Sequence, residues 1–124
     1  LGLVPGDGGA WLLPRAIGRS RAAELFFAGE LIDAPTACEW GLVSRVVSDD
    51  QLMEECRKLA EKIATKPPIP VRMTKQMMRQ ADNADLESIL EMSAALQTIA
   101  QNTEDHKTAL KAILDKTEAS FKGE

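Results

Sequence analysis

The chain has 124 residues, 44% of them apolar and 27% charged, and a net charge of −4 with both signs mixed along its length. That is the balance of one modest globular domain, and with two Trp, three Phe and no Tyr its core must be aliphatic. No basic run is long enough for a nucleic-acid surface, and no apolar stretch approaches the roughly 20 residues of a membrane span.

Residues 1–9 hold four Gly and predict a loop. Ala10 to Leu13 predict one short apolar turn stopped by Pro14, which cannot donate to a helix ladder. Ser20 is a good N-cap for a helix over Arg21 to Ala28, and Gly29 stands where a terminating glycine belongs. Asp33-Ala-Pro-Thr36 opens a further short helix that runs to Trp40 and stops at Gly41. Leu42 to Val47 is the one convincing strand, β-branched and bounded by turn residues. A lone strand leaves its own backbone groups unpaired and needs a sheet partner. No other segment of the chain offers one.

Ser48-Asp-Asp-Gln51 predicts a capping box. After it, Leu52, Cys56, Leu59, Ala60 and Ile63 repeat at helical spacing as one apolar stripe. The prolines of residues 66–70 break that helix, and Pro70 can start the next, running to about Ala81. Asp82 to Asp85 predict a turn and cap, followed by a long helix from Leu86 to about Gln101. Thr103 caps a last helix that ends near Ala119, with Glu104 and Asp105 placed well against its dipole. Phe121 to Glu124 form a tail.

Cys38 and Cys56 have no metal-ligand spacing and predict two reduced thiols in or near a core. With no signal peptide, they suit a reducing, cytoplasmic setting. The chain opens on Leu1 without an initiator Met and reads as the middle of something longer.

An ordered set of short motifs spans the first part of the chain: Pro5-Gly-Asp-Gly-Gly9, Leu13-Pro-Arg15, Gly18, Ala23-Glu24, Gly29, Ala37 and Gly41-Leu-Val43. Together they resemble the crotonase family of enoyl-CoA hydratases and isomerases. The likeness continues to Phe121-Lys122 with little or no net gap. It implies a mainly helical chain in which residues 1–50 are the last part of a ββα spiral core with one short strand. Residues 51–124 would be the C-terminal helical region through which the family trimerises. The missing strand partner would then lie upstream.

The resemblance also implies chemistry. The family holds an acyl-CoA thioester and its enolate in a hole of two backbone N–H groups, and in the hydratases two glutamates manage water and the α-proton. Both glutamate segments and both hole donors would lie upstream, so this chain by itself is expected to be inactive. The leading expectation is the C-terminal part of a hydratase adding water to 2-enoyl-CoA. An isomerase fragment is the alternative, and a non-catalytic oligomerising module is the reading of another class. An acyl-CoA substrate, a homo-oligomer (trimer or hexamer) and no separate cofactor or metal follow.

Five residues are candidates for the site. Gly6 matches the loop glycine whose N–H helps hold the reacting water, as a helix start can, and equally lets the loop turn. Asp7 is either a helix cap or a catalytic acid, since some relatives carry an Asp on this loop one position earlier. Trp11 would add a flat wall to an acyl pocket or sit in a core. The run Trp11 to Arg15 is more like ring-opening isomerases of aromatic-acid breakdown than short-chain hydratases. Ile113 and Lys116, one turn apart on the last helix, match positions that cover the adenine and phosphates of CoA. Phe is more usual at the place of Ile113. Phe121 and Lys122 are further candidates of the same kind. Met73, Met77, Met78 and Met92 read as adaptable packing, His106 as a solvated helix-start residue, and Glu24 as structural.

Overall fold

The computed structural model describes residues 2–124, so Leu1 of the glycine-rich opening lies outside the described residues. The chain forms two compact units, Leu1–Leu52 and Met53–Glu124. Among the described residues every regular element is a helix, and none is long and apolar enough to cross a membrane.

In the first unit, α1 (Gly9–Ile17) packs on α2 (Arg19–Ala28), and α3 (Ala34–Glu39) follows. Pro14 does not stop α1, contrary to the expectation from its missing N–H. The one bond it forfeits is to the carbonyl of Ala10, an exposed residue that water can serve. Ser20 is likewise not the cap of α2. The cap is Gly18, at φ 84° and ψ 157°, backbone that almost only glycine adopts. This sharp link lets α2 start directly after α1, upstream of Ser20. Gly29 ends α2 as expected, its N–H donating to the carbonyl of Leu25. Asp33 caps α3 by accepting from the Thr36 N–H at 2.9 Å. The buried apolar residues of this unit are Ile17, Ala22 and Ala37.

The expected strand over residues 42–47 does not form. Its hydrophobic residues Leu42, Val43 and Val46 are exposed, and no second strand lies beside it among the described residues. A β-branched run without a ladder partner stays irregular because nothing pairs its N–H and C=O groups. The capping box is absent too. The Gln51 N–H donates to the carbonyl of Ser48, making a turn instead of a side-chain cap.

In the second unit, α4 (Leu52–Ala64) carries the expected stripe, but Leu52, Cys56, Leu59 and Ile63 are all exposed. Cys56 is therefore a surface thiol, while Cys38 is half-buried; neither forms a disulfide. α5 (Pro68–Ala81) begins two residues before Pro70. Three prolines fit there because the first turn needs no N–H donors. α5 packs on α6 (Leu86–Gln101), and α6 on α7 (Glu104–Asp115). Asp85 caps α6 through the Ser88 N–H at 2.8 Å, and Thr103 Oγ1 caps α7 through the His106 N–H at 3.1 Å.

α7 ends at Asp115, a turn earlier than expected, because Lys116 takes the left-handed conformation at φ 54°. The chain then folds back. The Asp105 carboxylate, in a residue 3% exposed, accepts the N–H groups of Lys122 and Gly123 at 2.8 Å each. The Asp105 N–H donates in return to the Glu124 carbonyl at 3.0 Å. Residues 121–124 are thus a clasp on the start of α7, not a free tail.

Candidate functional site

The first candidate place is the loop that starts α1. Glycine-rich backbone turns through residues 6–8, and the Gly8 carbonyl accepts from the N–H groups of Trp11 and Leu12 at 3.0 Å each. Asp7 Oδ1 accepts the N–H of Gly9 at 3.0 Å, so this carboxylate satisfies one orphan donor of the helix start. Gly6 is exposed, and its N–H donates no hydrogen bond among the described residues. Asp7 is the one ionisable residue lining a hollow of about 310 Å³ whose apolar wall comes from Leu12, Leu13, Phe26 and Leu42. Neither Gly6 nor Trp11 lines it.

Trp11 is pinned elsewhere. The Arg15 guanidinium lies 3.7 Å above its ring, and Arg15 Nη1 donates to the Trp11 carbonyl at 2.9 Å. One side chain thus makes a cation–π contact and a hydrogen bond on its neighbour one turn back. The i, i+4 spacing of Trp11 and Arg15 would have found this pair.

The second candidate place is a groove of about 660 Å³ beside the end of α7. Ile113 and Lys116 both line it, and so does Phe121; Lys122 does not. Lys66, Thr65 and Thr117 complete its polar lining with Glu118. Lys66 and Thr65 follow a different helix and carry no motif, so only folding brings them to Lys116. Ile113 is 73% exposed, an apolar side chain left free on the groove wall.

The carboxyls of Asp33 and Asp85 are both held below the ordinary carboxylate range. For Asp33 the cause is first the Thr36 hydroxyl and then its N–H, and for Asp85 first the Ser88 N–H and then its hydroxyl. The Lys58 ammonium is raised by Glu54 and then Glu55. All three belong to helix ends and surface pairs, not to either place above. Among the described residues no three of His, Cys, Asp and Glu come together as a metal site would need.

Taken by itself, the α7 groove carries two lysines and apolar walls, a lining that suits an anionic, partly apolar ligand. The sequence profile of the Enoyl-CoA hydratase/isomerase family matches residues 1–124, and the chain belongs to that family. It is 36% identical to a 1,2-epoxyphenylacetyl-CoA isomerase of Escherichia coli over 99% of this chain and 47% of that protein. It is 37% identical to a 2,3-dehydroadipyl-CoA hydratase of the same organism, over 99% of this chain and 48% of that protein. Among solved structures it matches an enoyl-CoA hydratase from Bacillus anthracis with a TM-score of 0.96 at 38% identity, covering 99% of this chain and 48% of that one. The chain thus spans about half the length of these relatives.

Proposed function

We propose that this chain is the C-terminal part of an enoyl-CoA hydratase-like enzyme that adds water to a 2-enoyl-CoA thioester. In that reaction a general base takes a proton from the water as its oxygen bonds the β-carbon, the C=C pair shifts to the bond between the α-carbon and the carbonyl carbon, and the C=O pair moves onto the thioester oxygen. Two backbone N–H groups hold the resulting enolate, and a general acid then delivers a proton to the α-carbon as the C=O bond re-forms. Gly6 would present its free N–H to the water. Asp7 would hold the loop on α1 with one oxygen and keep the other toward the hollow. Trp11, braced by Arg15, would stiffen the helix behind the acyl chain. Ile113 and Lys116 would cover the CoA nucleotide. Residues 1–50 would close the spiral core, and residues 51–124 would form the oligomerisation region of a trimer or hexamer.

The observation that carries this reading is the joint placing of Ile113 and Lys116 on one groove, within a chain whose family match runs over residues 1–124. The hydratase names among the relatives support hydration over the alternatives. The test is a hydration assay on crotonyl-CoA, with the full product of the gene and with the 124-residue chain. Chromatographic detection of the 3-hydroxyacyl product is the readout. The full product is expected to hydrate and the chain by itself not to. A full product that leaves crotonyl-CoA intact, or a 124-residue chain that turns it over unaided, would overturn the reading.

A further inference from the structure

We infer that the buried carboxylate of Asp105 is a positioning residue that latches residues 117–124 as a strap over the α7 groove. The strap forms one wall of the groove, so latching and ligand binding are coupled. This rests on the CoA reading of the groove and adds to it a conformational device worked by a residue that lines no part of it.

Thr117, Glu118, Ala119 and Phe121 of the strap line the groove, yet no helix or strand holds this segment. Its near end is tied by the Thr117 N–H, which donates to the Ala112 carbonyl at 2.9 Å. Its far end is tied by Asp105, which accepts the N–H groups of Lys122 and Gly123 and donates its own to the Glu124 carbonyl. Between these ties, residues 118–121 make no hydrogen bond among the described residues. A segment of that kind keeps one shape only while both ends are held.

Asp105 is 3% exposed and has no cationic partner among the described residues. A carboxylate removed from water is costly unless its lone pairs are served. Both donors that serve this one belong to the strap. The buried state of the charge therefore depends on the strap being in place. Gly123 fits the other side of the latch, because at φ +83° an added Cβ would meet Pro68 Cγ at 3.1 Å. Pro67, one residue earlier, lines the groove. A ligand that touches the strap in its latched position favours the latch, and the latch must raise its affinity by the same factor.

The test combines calorimetry with CoA and amide hydrogen exchange on the 124-residue chain and on Asp105→Asn, Gly123→Ala and Thr103→Ala. Thr103→Ala removes the cap of α7 without touching the strap, and so reports the effect of loosening this unit alone. Lys122 and Gly123 do not line the groove, so slower exchange of their amides with CoA bound reports the latch and not direct cover. CoA is expected to slow both amides by about tenfold in the unmodified chain. Each latch variant should bind CoA about five- to tenfold more weakly, the loss for a strap latched a fifth to a tenth of the time. Thr103→Ala should bind as the unmodified chain does. If Asp105→Asn folds poorly, Gly123→Ala opens the latch from the strap side and carries the same test. Unchanged amides with CoA bound, or equal affinity losses in Thr103→Ala and the latch variants, overturn the coupling and leave the CoA reading standing. An unmodified chain that gives no heat with CoA overturns the groove reading and the coupling together; the two failures differ in whether that chain binds.

Discussion

Replacing Asp105 with Asn changes one oxygen to an NH2 group and leaves the side-chain shape almost unaltered. In the folded chain the two carboxylate oxygens each take one backbone N–H, from Lys122 and Gly123, both at 2.8 Å. The amide can accept only one of them. The other N–H then faces a donor in a place where the residue is 3% exposed and water has little access. A hydrogen bond to a charged group contributes about 1.5–3 kcal/mol, and a neutral one about half as much. Losing one and weakening the other should destabilise the second unit by about 2–4 kcal/mol. The assay is urea unfolding with amide hydrogen exchange on both proteins. The midpoint should fall with little change in slope, and the amides of Lys122 and Gly123 should lose protection before those of α6. Glu104→Gln serves as the control, since its pair with Lys107 is exposed and should be nearly neutral. Unchanged protection at Lys122 and Gly123, or equal losses in the two variants, would refute the clasp as the cause.

Gly123→Ala should also open the clasp. Its φ is +83°, and an added Cβ would meet Pro68 Cγ at 3.1 Å. A positive φ costs a non-glycine residue about 1–2 kcal/mol, so a lower thermal midpoint with faster exchange at Gly123 is expected; an unchanged midpoint counts against the contact. The caps at Asp33 and Asp85 predict a pH dependence of known sign. Both carboxyls lie below their ordinary value through hydrogen bonds from Thr36 and Ser88. Their contribution is therefore fully present above the unfolded value of about 3.9 and is lost as pH falls through the lower folded value. Carboxyl NMR titration of the folded chain should show both midpoints below those of a model peptide, and midpoints at or above it would remove this source of acid sensitivity.

Much of the helical layout was legible because its signals are local. Asp33, Asp85 and Thr103 cap the helices that their residue types predict, and Gly29 ends α2 at its expected place. Leu86–Gln101 matches the expected long helix because its cap and length are both written in the chain. The misses share a cause. Pro14, Ser20 and the prolines of residues 66–70 each have two permitted roles, and the neighbouring backbone chooses between them. Residues 42–47 have strand character but no ladder, and ladder bonds belong to a pair of segments. The site was legible to the same degree. Asp7 as a cap is a contact over two residues, and Ile113 with Lys116 one over three. Lys66 on the same groove is separated from Lys116 by 50 positions; no local pattern reports that.

By itself the sequence determined the family resemblance, most helix starts and the candidate loop at Gly6 and Asp7, since these depend on residue type and short spacing. Tertiary structure decided what Glu104 and Asp105 each do. Adjacent in the chain and alike in charge, both suit the first turn of α7. Only Asp105 is turned toward the returning residues 122–124, while Glu104 faces Lys107 at the surface. Successive residues of a helix point about 100° apart, so packing on one face gives one acid a buried clasp and leaves its neighbour to water.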